Sequence, residues 1–177
     1  MSRTSFSDVL AAAAIGAAAG AVGSFVKSKI EPPLQDAAEA VVPPSHAEKE
    51  RPGADIQGHP DRMPPAQLAQ AVTHRRLSRE EKLQAQQGIH YAFGAGFGVV
   101  YGALAEAVPA ASFGFGVPAA LALWVGAHLT ALPALGLSAT PQKLPASTHL
   151  WEAGSHVGFG IATEATRRVL RRALRLG

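Results

Sequence analysis

The residues of this chain best equipped for chemistry are His90, His128, Glu152 and His156, each set in apolar sequence, with Tyr101 as a hydroxyl able to join them. Imidazole nitrogens and a carboxylate can exchange a proton, line a polar path, or ligate zinc, iron, nickel or copper. Glu152 and His156 stand four apart, so on a helix they share a face and can reach a common ion. The di-iron bundle signature has Glu and His three apart, which this chain lacks.

These groups need elements to hold them, and the stretch from Thr148 to Gly177 is the most informative. At helical spacing His149, Glu152, His156, Gly160 and Thr163 form one stripe with Glu164 at its margin. Gly154, Val157, Gly158 and Ile161 lie away from that stripe. Arg167, Arg168, Arg171, Arg172 and Arg175 follow at once. The pattern reads as the last helix of a membrane bundle, with its ionisable stripe inward, its glycine surface on a neighbour, and its arginines as basic residues at the membrane interface.

Three hydrophobic stretches precede it. Val9 to Val26 is uncharged and follows Ser7 and Asp8, which can cap a helix start; a cleaved signal peptide is the competing reading. Gly16 and Gly20 form a small-x-x-x-small pair, and Gly94, Gly98 and Gly102 repeat every fourth residue in the second stretch. That second helix starts at Ser78, where Ser78-Arg79-Glu80-Glu81 fits a capping box. A third span carries Pro118 and Pro133, which are expected to bend it. Between the first two spans the chain is rich in proline and mixed charge, a composition that argues for a long loop with a short helix at Gln35 to Val42; His46, His59 and His74 in this region read as solvent-exposed. The expectation is therefore an all-α protein, a four-helix transmembrane bundle forming a single integral membrane domain. Its spans fall at about 6–28, 86–108, 113–136 and 148–170, with a long polar loop at 30–77 between helices 1 and 2.

Antiparallel spans would bring His90, His128, Glu152 and His156 within ~3 to 12 Å of one membrane surface at 1.5 Å rise per residue. Glu106 and Glu164 would lie toward the other side. Ionisable groups at such depth cost roughly 2.5 to 3.5 kcal/mol on insertion scales and face the bundle interior. Three uses of the layer stay open: a metal or haem site, with His90, His128, Glu152 and His156 as the ligands; proton or small-solute handling; and a purely structural hydrogen-bond network. No catalytic residue is identified.

Composition narrows the classes. Charged residues make up only 16% of the 177 residues, against ~25% in soluble domains. Between Ile89 and Gln142 Glu106 alone is formally charged. The net charge of +3 is less than the C-terminal arginine run supplies, and that run has no interleaved aromatic residue, so nucleic acid is not an expected partner. The lipid bilayer is one, and the glycine faces could also dock a membrane-protein partner or a second copy. The chain has no cysteine, which removes thiol chemistry and disulfides. The arginines abutting the last span favour cytoplasmic termini and a periplasmic polar loop.

Taken together, Gly20 to Pro33, His90 to Pro109, His128 to Pro141 and Glu152 to Arg168 resemble the YagU-like family of bacterial inner-membrane proteins of unknown function. The matching positions are Phe25, Val26 and Lys27; His90, Tyr101, Gly102 and Glu106; His128, Pro133 and Gly136; Glu152, His156, Glu164, Arg167 and Arg168. His149 does not match. The resemblance implies an inner-membrane location and a suggested role in acid resistance, and it supplies no ligand or reaction.

Overall fold

The computed structural model describes residues 5–58 and 60–174; His59 and Arg175, named above, lie outside the described residues. Every regular element among them is helical. In chain order these are α1 (Phe6–Val41), α2 (His46–Lys49), α3 (Pro64–Thr73), α4 (Arg79–Ala107), α5 (Val117–Gly126), a π-helical turn (Ala127–Ala131), α6 (Leu132–Ala134) and α7 (Ala146–Ala173). Short 3-10 turns cover Pro60–Arg62, Pro109–Gly116 and Pro141–Lys143. Among the described residues three helical segments are long and apolar enough to cross a membrane: Phe6–Val41, Arg79–Ala107 and Pro109–Ala134. The fourth expected span, α7, is 28 residues long but carries the polar stripe and the arginines, which keep it out of that group.

The helix starts follow capping chemistry. At α4 the Ser78 N–H donates to Glu81 Oε2 (2.8 Å) and the Glu81 N–H to Ser78 Oγ (3.2 Å), the reciprocal box expected from sequence. At α1 the same exchange joins Ser5 and Asp8, at 2.8 and 3.2 Å, so the cap is Ser5 and Ser7 lies inside the helix. The alanine-rich run beyond it has the highest intrinsic helix propensity.

α1 does not end near residue 28. It runs through Pro32 and Pro33 to Val41, although an interior proline costs a helix roughly 3 kcal/mol. Polar ties offset that cost. Gln35 Nε2 donates to Glu39 Oε1 (2.7 Å) and Asp55 Oδ1 (2.6 Å), Gln57 Nε2 to Asp36 Oδ1 (2.9 Å), and Lys49 Nζ to Glu39 Oε2 (2.7 Å). The region expected as an open loop is thus anchored on the helix before it. His46 and His74 are exposed, as composition implied.

The third span is also less regular than its hydropathy. Phe113 is extended, and Gly114 and Phe115 take left-handed conformations (φ 62° and 56°), so regular α-helix starts only at Val117. Pro118 occupies the second residue of α5, where the missing N–H is not needed. Pro133 has no N–H to offer the preceding turn; that turn widens to the π form, and Thr130 Oγ1 donates to Val125 O at 2.9 Å.

The chain divides into two compact units. One comprises the chain up to Ser28, Tyr91–Leu121, and the chain from His156 onward. In it glycines meet backbone to backbone. A Cβ added at Gly98 would stand 2.8 Å from the Gly16 carbonyl carbon and 3.0 Å from Gly20 Cα, and one at Gly102 would stand 2.9 Å from Gly16 Cα. Phe97 stacks on Tyr101 at 5.8 Å and tilts against Phe159 at 5.5 Å. Leu10, Val22, Phe25, Phe93, Val99, Val100 and Leu104 are exposed, while Ser24, Thr163, Glu164 and Arg167 are buried. Large apolar side chains outward and polar ones inward is the distribution a lipid solvent favours.

The other unit comprises Lys29–His90 and Ala122–Ser155. Thr148 Oγ1 donates to the Ala54 carbonyl (2.9 Å) and the Ala139 N–H to the Pro52 carbonyl (2.9 Å), which ties the 50s segment to the connection before α7.

Candidate functional site

In the second unit, a single carboxylate gathers the polar groups of the third span. Trp124 Nε1 donates to Glu152 Oε2 at 3.0 Å, and His128 Nδ1 lies 2.9 Å from Glu152 Oε1. Trp124 comes from the end of α5 and His128 from the π turn that Pro133 imposes; such widened turns recur at functional positions. Glu152 is only 3% exposed, while the His128 side chain keeps 28% of its surface accessible. The indole N–H can only donate. An ionised Glu152 would accept from both rings, with the His128 proton then on Nδ1.

Two neighbours complete this wall. The His149 ring meets Trp124 edge-on at 6.4 Å, with its Nε2 2.9 Å from the Pro141 carbonyl. Ser155 Oγ donates to the Glu152 carbonyl at 2.9 Å and lies 3.5 Å from Glu31 Oε1. His90, also in this unit, is partly buried on α4.

In the first unit the centre is Glu164, fully buried. Tyr101 Oη donates to Glu164 Oε2 (2.9 Å), so the hydroxyl that sequence grouped with the histidines bonds this carboxylate. Arg167 embraces it with two bonds, Nε to Oε2 at 2.7 Å and a terminal nitrogen to Oε1 at 2.9 Å, and Arg168 Nε adds a third at 2.5 Å. Arg171 reaches Glu106 Oε1 at 2.8 Å. Arg167 is itself buried, which its pairing permits, whereas Arg172 is exposed. His156 lies in this unit on α7, 3% exposed.

A metal needs three or more well-placed donors. Among the described residues no group of three or more His, Cys, Asp or Glu could hold an ion. His128 and Glu152 supply two ligand types, and a third group at the carboxylate, Trp124, is a donor with no lone pair for a metal. Among the described residues the metal reading thus has two ligands at this carboxylate and no third.

Sequence reasoning overlooked Trp124. The signal was present, since it stands four residues before His128 within an apolar helix, and a tryptophan N–H in such a setting needs an acceptor. Tyr101 with Glu164 was open to the same argument, because a buried hydroxyl and a buried carboxylate each need a partner.

Helical architecture, three segments fit to cross a bilayer, and buried carboxylates held by donors within each unit define an all-α protein in contact with lipid. The chain belongs to the family described as protein of unknown function (DUF1440), whose pattern matches residues 22–165. No curated protein and no solved structure matches the chain.

Proposed function

We propose that this is a multi-pass bacterial inner-membrane protein, similar to the YagU-like proteins, whose working element is the Glu152–His128 couple, and that it takes up protons at that couple in support of acid resistance. The observation that carries this reading is the 2.9 Å contact between His128 Nδ1 and Glu152 Oε1 in apolar surroundings. Imidazole changes charge between about pH 5 and 8, the range an acid-responsive element needs. A proton taken up by the His128 ring produces an imidazolium beside a carboxylate already oriented by Trp124, so the new charge meets a counter-ion in place. His90 and His156 stay in the proposal as further ionisable groups, each within its own unit. The glycine rows act as an internal packing seam, a role supported by the backbone approaches at Gly16, Gly98 and Gly102. The alternative of a structural or interaction subunit keeps the same network without proton uptake.

The test is survival after acid challenge in cells producing His128→Asn or Glu152→Gln at wild-type levels. Both variants should lose the protection that the wild-type chain gives. Full protection by both, with the proteins present and folded, overturns the reading.

A further inference from the structure

The arginine run forms a pocket. Arg167, Arg168, Arg171 and Arg172 on α7 and Ser112 from the 3-10 turn line a cavity of about 300 Å³ within the first unit. Two carboxylates neutralise part of that charge: Glu164 accepts from Arg167 and Arg168, and Glu106 from Arg171. Among the described residues no carboxylate pairs with Arg172, and Arg171 Nε is buried without a hydrogen-bond partner. The pocket thus keeps two positive charges beyond its acids and one buried donor still lacking an acceptor.

Its surroundings are specific. Arg168 stacks its guanidinium over the Phe115 ring at 4.6 Å, which holds the side chain in place. The turn that brings Ser112 is fixed by the left-handed Gly114 and Phe115, and Phe113 beside it is 79% exposed. Guanidinium forks match the planar spread of phosphate oxygens. A carboxylate offers fewer acceptors than this many donors can use.

We infer that this pocket is a binding site for a phosphate group, carried by a lipid headgroup or as the free anion. The site is separate from the Glu152–His128 couple and does not depend on its function.

Native mass spectrometry of the full-length protein in detergent tests it, titrating short-chain phosphatidylglycerol, short-chain phosphatidylcholine and inorganic phosphate in turn. Arg172→Gln is the pocket variant, an exposed position whose change spares the Glu164 and Glu106 pairs. Arg76→Gln removes an exposed charge outside the pocket. Saturable binding of phosphatidylglycerol or phosphate, weakened roughly tenfold by Arg172→Gln and unchanged by Arg76→Gln, supports the site. Phosphatidylglycerol that resists displacement by excess inorganic phosphate assigns it to a lipid headgroup; equal competition assigns it to the free anion. Binding that is absent, that survives Arg172→Gln intact, or that Arg76→Gln weakens equally overturns the inference.

Discussion

Replacing Gly98 by alanine adds one methyl group to a close backbone approach in the first unit. That carbon would stand 2.8 Å from the Gly16 carbonyl carbon and 3.0 Å from Gly20 Cα, and both are backbone atoms that cannot turn aside. The helices must separate, and overpacking of this kind costs about 1 to 3 kcal/mol. Alanine in place of glycine also favours the helix itself by roughly 0.8 to 1 kcal/mol, so the two effects oppose each other. Gly96 on the same helix separates them, because a Cβ there meets nothing within 4 Å. Gly96→Ala should therefore raise the melting temperature in detergent, and Gly98→Ala should lower it or leave it flat. Gly98→Leu, with three more carbons and no room, should lower it by several degrees, at about 2 to 4 °C per kcal/mol for a chain of this size. Val99→Leu, at an exposed position, should change little. The reasoning fails if Gly98→Ala and Gly96→Ala melt alike, or if Gly98→Leu is tolerated.

Two more outcomes can be checked. For topology, an impermeant thiol reagent on intact cells should label Ala47→Cys and spare Ala173→Cys, both exposed positions; the reverse pattern would invert the chain in the membrane. For the anchor on α1, the hydrogen bond that Lys49 donates to Glu39, reinforced by the Asp55 charge, holds the Lys49 ammonium above the ordinary lysine value of 10.5. A raised folded value means stabilisation that is whole below about pH 10.5 and is lost as the pH climbs through the folded value. The stability gap between wild type and Lys49→Met should thus be present at neutral pH and close in strong alkali; a gap independent of pH would remove Lys49 from the account.

What the sequence disclosed follows from what periodicity can carry. The start of α4, the glycine spacing and the third span were legible, because a capping box and a hydrophobic run are local signals. The continuation of α1 through Pro32 and Pro33 was not, since it depends on Asp55, Lys49 and Gln57, residues brought back by later chain. Ala54 illustrates the same limit: its surroundings read as an open loop, yet it is 2% exposed, with its carbonyl bonded to Thr148. At the candidate site, sequence singled out His128 and Glu152 by residue type, but type alone could not assign partners. The pairing of Glu164 with Tyr101 and Arg167, and of Glu106 with Arg171, needs the rotation of each helix about its axis, which spacing within one helix does not specify.

The measurement that bears most directly on the proton couple is nitrogen-15 spectroscopy of the histidine rings across a pH titration, with His128 assigned by its loss in His128→Asn. The account predicts that acidification adds a proton to the His128 ring while it stays bonded to Glu152. In Glu152→Gln the His128 ring signals should change. A His128 ring that keeps one protonation state across that range, or whose signals are the same with and without the Glu152 carboxylate, would contradict it.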